Sequence, residues 1–378
     1  MLSGIISATT LAGEIDVRDH GAAGDGSTDD TAAFVNAMKS GTDIYVPPGT
    51  YLVNEILLPD TTNLHGSGAA SVILLAKGDG EVRLGTRCRV SNLTFTGQEK
   101  SPREGVQPQD KTMLAVRSAS GVSIDHVHIE DYRYTAIMTD NATDLSITNC
   151  HIQKVNWAML IQFSKRVRVE GCRVIDTYQH GIQFWGNWKW ENKLCEDLTF
   201  VGNYTKDTHD TGIWGTGATR VVMANNIVDG AGDVGLDLEW CDDSSITGNT
   251  VRNAKNGGIS LFFSCHRVSI TGNTVINDHE ITVDPENPGW WVRSGIFITK
   301  TNRGTYPGDY GHRDITVVGN TVVCKEDGPR RAIWFMGEES DNVTIANNTV
   351  RGGEVLFGDK AITGNARVTN GKLVLRGN

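Results

Sequence analysis

The sequence predicts an all-β chain wound into a solenoid of stacked parallel coils, a parallel β-helix, with a short helix closing its first turn. Three observations carry the expectation. A phrase ending in Asn recurs at the length of one coil, a second phrase of small and apolar residues follows it at a fixed distance, and 43 Gly against 9 Pro with no sustained helical period favour short strands joined by turns.

The first phrase places Asn203, Asn226, Asn249, Asn273, Asn320 and Asn348 after β-prone residues, with steps of 23, 23, 24, 47 and 28; the step of 47 is one coil carrying insertions. Cys150 and Cys172 are expected to continue this column upstream, with His128 one coil earlier. The second phrase reads small, apolar, variable, apolar, variable, as in Gly181-Ile182-Gln183-Phe184-Trp185, Gly235-Leu236-Asp237-Leu238-Glu239 and Gly258-Ile259-Ser260-Leu261-Phe262. Alternation turns one face of each strand inward and the other outward. A coil of this length cannot bury its apolar face alone, so coils must stack at about 4.8 Å, which brings the Asn side chains into one hydrogen-bonded line.

The cap is legible as Thr28-Asp29-Asp30 before Ala32, Ala33, Phe34, Ala37 and Met38, an acidic helix start followed by an amphipathic stretch. Residues 1–16 read as an N-terminal extension and residues 17–378 as the solenoid domain. Seven Cys with no CxxC pair are expected to be mostly buried thiols, with Cys150 and Cys172 stacked rather than bridged. A net charge of −10 and the lack of a dense basic run argue against a nucleic-acid partner, and no stretch reaches the apolar length of a membrane span.

The segment from Val17 through Asp19-His20-Gly21-Ala22-Ala23-Gly24-Asp25-Gly26 to Thr31, followed by Ile44-Tyr45-Val46-Pro47-Pro48-Gly49-Thr50-Tyr51, resembles the entrance motif of the pectate-lyase-like superfamily, which includes phage tailspike depolymerases and family 28-type glycosidases. That resemblance implies a single-stranded right-handed parallel β-helix over residues 17 to about 370, a polysaccharide partner and an extracellular or virion-associated setting. Resemblance to tailspikes implies a homotrimer, although no trimerisation segment stands out. The ordered polygalacturonase motifs are missing, and Asp207-Thr208-His209 resembles only faintly the Asp-Pro-His motif of alginate epimerases. No catalytic residue is carried over from the family.

The site is placed instead by the insertions. Coils 172–203 and 273–320 are long, and the outward second-phrase residues between them form the expected floor. Asp237 and Glu239 share one face of one strand, roughly 6.5–7 Å apart at Cα, while Asp210 and Asp233 occupy equivalent positions in adjacent coils, about 4.8 Å apart. Four neighbouring carboxyls can titrate apart and supply acid and base for glycoside cleavage. Trp185, Trp214, Trp240, Trp290 and Trp291 offer flat faces for sugar rings, and His180, His209, Arg293 and Lys300 offer polar contacts.

These residues favour a glycoside hydrolase. Tyr178, Arg293 and Lys300 would serve a polysaccharide lyase or epimerase, which needs a base beside a carboxylate and a cation to hold it. A non-catalytic adhesin is the third expectation. No metal or cofactor is expected; Ca²⁺ would enter only to bridge an anionic uronate to the acidic floor.

Overall fold

A computed structural model describes residues 13–78, 80–100, 107, 111–187, 193–277, 294–299, 311–324, 331–336, 340–358, 360–362, 364–369 and 372–376. Successive coils pair strand on strand in parallel. The second-phrase strands Ile182–Trp185, Ile213–Ala224, Val234–Asp242, Gly257–Phe262, Ser294–Thr299 and Arg331–Phe335 stack in the predicted register, Ile182 on Ile213, Leu236, Ile259, Ile296 and Ile333. Those Ile and Leu side chains are fully buried and form part of one core running along the helix interior.

The Asn residues form the predicted ladder. In Asn203, Asn226, Asn249, Asn273 and Asn320 the backbone N–H and Nδ2 both donate to Oδ1 of the next Asn, at 2.8–3.0 Å. Each Nδ2 also reaches a backbone carbonyl, Asn249 taking Met223 O at 2.9 Å. The line crosses the long coil without a break, since Asn273 bonds Asn320 across 47 residues.

Upstream, the ladder gives way to Cys172, whose N–H donates to Asn203 Oδ1, and then to Cys150. The expectation for His128 is off by one residue. His128 pairs with His151, one past Cys150, and its ring stacks on the His151 ring at 4.8 Å, so buried Val127 holds the column. Without an Asn to fix the register, an apolar residue fills the interior position and the polar neighbour turns outward. All seven Cys are buried, and none is in a disulfide.

The helix Thr31–Ser40 buries Ala33, Phe34 and Ala37, and Phe34 meets Tyr51 edge-on at 5.8 Å. Asp30 occupies its N-cap position, yet its carboxylate does not cap the helix: it accepts from Ala23 N at 2.6 Å and Gly24 N at 3.1 Å. Asp25 likewise accepts from Ser27 N and Thr28 N. The acidic run therefore ties the glycine-rich turn. At the other end, Val343–Ala346 pairs antiparallel with Asn365–Thr369, which pairs antiparallel with Lys372–Arg376. This closing hairpin departs from the uniformly parallel expectation and covers the edge that a last coil would leave open.

One outer corner alternates in charge coil by coil: Asp144, Arg166, Asp197, Arg220, Asp243, Arg267 and Asp314 stack in one column. All seven adopt left-handed backbone, with φ between 50° and 58°. Arg166, Arg220 and Arg267 each grip the Asp of the preceding coil through Nε and Nη2, at 2.5–3.0 Å.

Candidate functional site

The second-phrase strands fix the site because their alternation is strict. With Leu236 and Leu238 committed to the core, Asp237 and Glu239 must face outward, and the register seats Asp237 between Trp214 and Ser260 and Glu239 between Thr216 and Phe262. Outward here does not mean solvated. Asp237 is 4% exposed, and Gln183 and Ser260 in the same column are 5% and 1% exposed. Asp237 Oδ1, Gln183 Oε1 and Ser260 Oγ are all buried without a hydrogen-bond partner.

The predicted carboxylates do converge electrostatically. Burial pushes the Asp237 carboxyl well above the usual range, and the charges of Glu239, Asp233 and Asp210 push it further. Asp233 is raised by burial and by Asp210, against the opposing pull of Asn256, whose Nδ2 donates to Asp233 Oδ1 at 2.5 Å. Asp210 is raised by burial as well. The cluster therefore retains protons at a pH where isolated carboxyls are ionised.

His180 joins this group. Its Nδ1 accepts from Thr211 N at 3.3 Å, which leaves the ring proton on Nε2, 3.4 Å from Asp210 Oδ2. Burial lowers the His180 pKa to about 4, so the ring is neutral beside the Asp210 carboxyl. Trp214 stacks on His180 at 4.6 Å and meets Trp185 edge-on at 5.7 Å. Trp240 stands apart from that pair, stacked on Phe263 at 3.8 Å. Trp290, Trp291, Arg293 and Lys300 lie outside the described residues.

His209 belongs to an adjoining open cavity of about 430 Å³, lined also by Lys154, Asp176, Tyr178, Asp207 and Gly230. Tyr178 stacks on His209 at 5.2 Å. Lys154, Asp176 and Asp207 escape a reading that follows only the second phrase, because they precede it in the chain. Their signal was positional: Asp207 and His209 sit five and three residues before Gly212, as Asp176 and Tyr178 do before Gly181. Gly230 and Gly232, in the next coil, leave room beside them. Among the described residues no group of three or more His, Cys, Asp or Glu is arranged to hold a metal ion.

A solenoid of parallel coils with an internal Asn ladder, a helical cap and an acid- and Trp-bearing outer face defines a parallel β-helix scaffold. The chain belongs to the pectate lyase-like family described as rhamnogalacturonase A/epimerase, which residues 14–260 match; residues 191–373 match the right-handed β-helix region.

The pre-neck appendage protein of Bacillus phage phi29 is 32% identical over 132 residues, covering 31% of this chain and 16% of that protein. Among solved structures, PfbA, a surface adhesin of Streptococcus pneumoniae, superposes with a TM-score of 0.77 at 15% identity, covering 97% of this chain and 99% of its own. The A-module of the Azotobacter vinelandii mannuronan C-5 epimerase AlgE4 follows at 0.70 and 16% identity, covering 92% and 100%. At these identities the structural likeness establishes the fold, and the chain spans only a sixth or so of its phage relative.

Proposed function

We propose that this β-helix works at a virion or cell surface, where it binds a polysaccharide along its acid-bearing face and hydrolyses a glycosidic bond there. Asp237 is the proton donor and Glu239 the carboxyl that serves as base; if only one of the two acts, Asp210 or Asp233 is its partner. The observation that carries this reading is the enclosed Asp237 carboxyl, its pKa raised by burial and by neighbouring acids, with Oδ1 buried and unpartnered. A carboxylic acid that keeps its proton above the usual carboxylate range can deliver it to the glycosidic oxygen as the C–O bond breaks. Water then adds to the anomeric carbon and surrenders its proton to the ionised carboxylate. His180, through Nε2, orients Asp210 rather than exchanging protons itself, since its pKa lies too low.

The surface setting is supported by the phage appendage relative and by the likeness to a surface adhesin. The homotrimer implied by the tailspike resemblance is part of the proposal and is read by sedimentation of the full chain. Hydrolysis is tested by release of reducing ends from a broad panel of glycans, which Asp237→Asn should abolish.

A second reading is favoured by the adjoining cavity. There Lys154 offers a cation for a uronate carboxylate, and the stacked Tyr178 and His209 offer proton-transfer groups of the kind a lyase or epimerase uses. Appearance of an unsaturated uronate during digestion would identify elimination, whereas epimerisation would change the uronate composition without chain cleavage. Binding with neither outcome would identify an adhesin.

A further inference from the structure

We propose that Ser264, His266 and Asp242 form a further catalytic site, a Ser–His–Asp triad that hydrolyses small carboxylic esters, namely O-acyl groups on a polysaccharide. Only the choice of substrate rests on reading the acid-bearing face as a glycan groove; the ester chemistry does not. Ser264 is an added residue in its coil. The register pairs Glu239 with Phe262 and Asp242 with His266, so two residues, Trp240 and Cys241, stand opposite three, Phe263, Ser264 and Cys265. An added residue leaves the regular pattern and re-aims a side chain, a device that recurs beside active sites.

Here the re-aimed side chain meets an imidazole. Ser264 Oγ lies 3.3 Å from His266 Nε2, and Nδ1 of the same ring lies 3.0 Å from Asp242 Oδ1 in the preceding coil. The second contact is close but not aligned as a hydrogen bond, a common state of such pairs before a substrate seats. Asp242 Oδ2 accepts from Arg267 Nη2 at 3.4 Å, which holds the carboxylate from its other side. A carboxylate oxygen so near Nδ1 places the proton of the neutral ring there, and Nε2 is then bare and faces the hydroxyl, as a general base must. Ser164 and Ser244, at nearby corners, are used differently: each Oγ donates to the carbonyl two residues back at 2.7 Å and accepts a backbone N–H from the preceding coil. Ser264 Oγ instead has two acceptors for its proton, His266 Nε2 and the Gly311 carbonyl at 3.1 Å.

In the reaction Ser264 Oγ adds to the acyl carbonyl carbon while His266 Nε2 takes its proton. The C–O bond to the sugar hydroxyl then breaks, and the departing oxygen recovers the proton from Nε2. Water opens the acyl-serine by the same route, with His266 again taking and returning a proton, and the carboxylic acid leaves. Asp242 acts through His266 and is a positioning residue. Ser264 is 6% exposed, whereas the His266 and Asp242 side chains are 24% and 21% exposed, so the nucleophile lies deeper than its base and suits a small acyl group such as acetyl. Ser264 stands two residues past Phe262, which pairs with Glu239, so the acyl substituents of a glycan on that face come within its reach.

The full chain is assayed with p-nitrophenyl acetate and p-nitrophenyl octanoate, with acetylated xylan and acetylated glucomannan, and with a fluorophosphonate that reacts with activated serines. Wild type should cleave the acetyl ester faster than the octanoyl ester, release acetate from at least one of the two glycans, and carry the fluorophosphonate on Ser264 when its peptides are mapped by mass spectrometry. Ser264→Ala and His266→Gln should each lose on the order of 10²–10⁴ in kcat/KM with Tm near that of wild type. Asp242→Asn should lower kcat by a similar factor with KM near normal, since the amide no longer favours the Nδ1–H tautomer, and Asp242→Glu should recover part of the loss. Release of reducing ends should be the same in Ser264→Ala as in wild type.

Undiminished ester cleavage by Ser264→Ala, a fluorophosphonate label that is absent or sits on another residue, or no acetate from either glycan would each overturn the proposal. The labelling is read on wild type, so it decides the matter even where a variant fails to fold. Acetate released without reducing ends would sink the glycosidase reading and leave the triad standing. Reducing ends released without acetate would do the reverse.

Discussion

Replacing Asp237 with Asn sets catalysis and stability in opposite directions. The folded-state pKa values of Asp237, Asp233 and Asp210 all lie above the ordinary value of 3.8. For such groups the protonated form favours the fold. The stabilisation is complete below 3.8 and is lost as pH rises through the elevated native values. At neutral pH wild-type Asp237 therefore opposes folding, because its carboxyl ionises freely in the unfolded chain and is hindered from doing so in the folded site. Asn keeps the shape and has no charge to bury, so Asp237→Asn should melt higher than wild type at neutral pH, with the advantage shrinking on acidification. It should also lose about 10²–10⁴ in turnover, or roughly 3–5 kcal/mol in the barrier, because the amide has no proton to give. Thermal melts across pH and reducing-end assays on the same preparations measure both effects. An Asn variant that melts lower at neutral pH, or that turns over normally, refutes the argument that Asp237 is held protonated for chemistry.

Asn249→Leu should destabilise by about 1–3 kcal/mol in denaturant titrations, because Asn226 N and Nδ2 lose their acceptor inside the ladder; an unchanged midpoint would mean that the ladder contributes nothing. Arg220→Asp sets like charges against Asp197 and Asp243, and at these exposed pairs it should cost on the order of 1 kcal/mol, less at high salt, with the double swap Asp197→Arg and Arg220→Asp failing to restore stability because the guanidinium introduced in the first of them would then face Arg166. Full recovery in the swap would show that only the isolated pair matters, not the alternation along the column. Trp214→Ala should weaken oligosaccharide affinity more than it lowers Tm, and an early-melting variant with normal affinity would make Trp214 a packing residue.

Much of the fold was legible because two signals are tied to interior geometry. Asn at a constant step can only be a ladder if the coils stack, and Gly or Ala followed by alternating apolar residues can only be the strand that faces the core. Where those signals lapse, the reading slips: with no Asn upstream of Asn203, His128 was assigned a column that belongs to Val127. Asp30 looked like a helix cap because its position is right, but the glycine turn beside it has N–H groups in greater need of an acceptor.

For the site, alternation told which side of the strand Asp237 faces but not how deeply it lies, since depth depends on neighbours from other coils. The cavity around Tyr178 and His209 was harder still. Its walls are contributed by coils separated by 22 to 31 residues, and they become neighbours only once the register is known.

The central claim is that this face cleaves a polysaccharide with Asp237 as the acid. The direct measurement is digestion of a glycan panel by the wild-type chain and by Asp237→Asn, following reducing ends and unsaturated uronates in the same samples. The account predicts that wild type releases reducing ends without unsaturated uronate and that Asp237→Asn releases none while remaining folded. Unsaturated uronate from wild type, or equal reducing-end release by both chains, would contradict it.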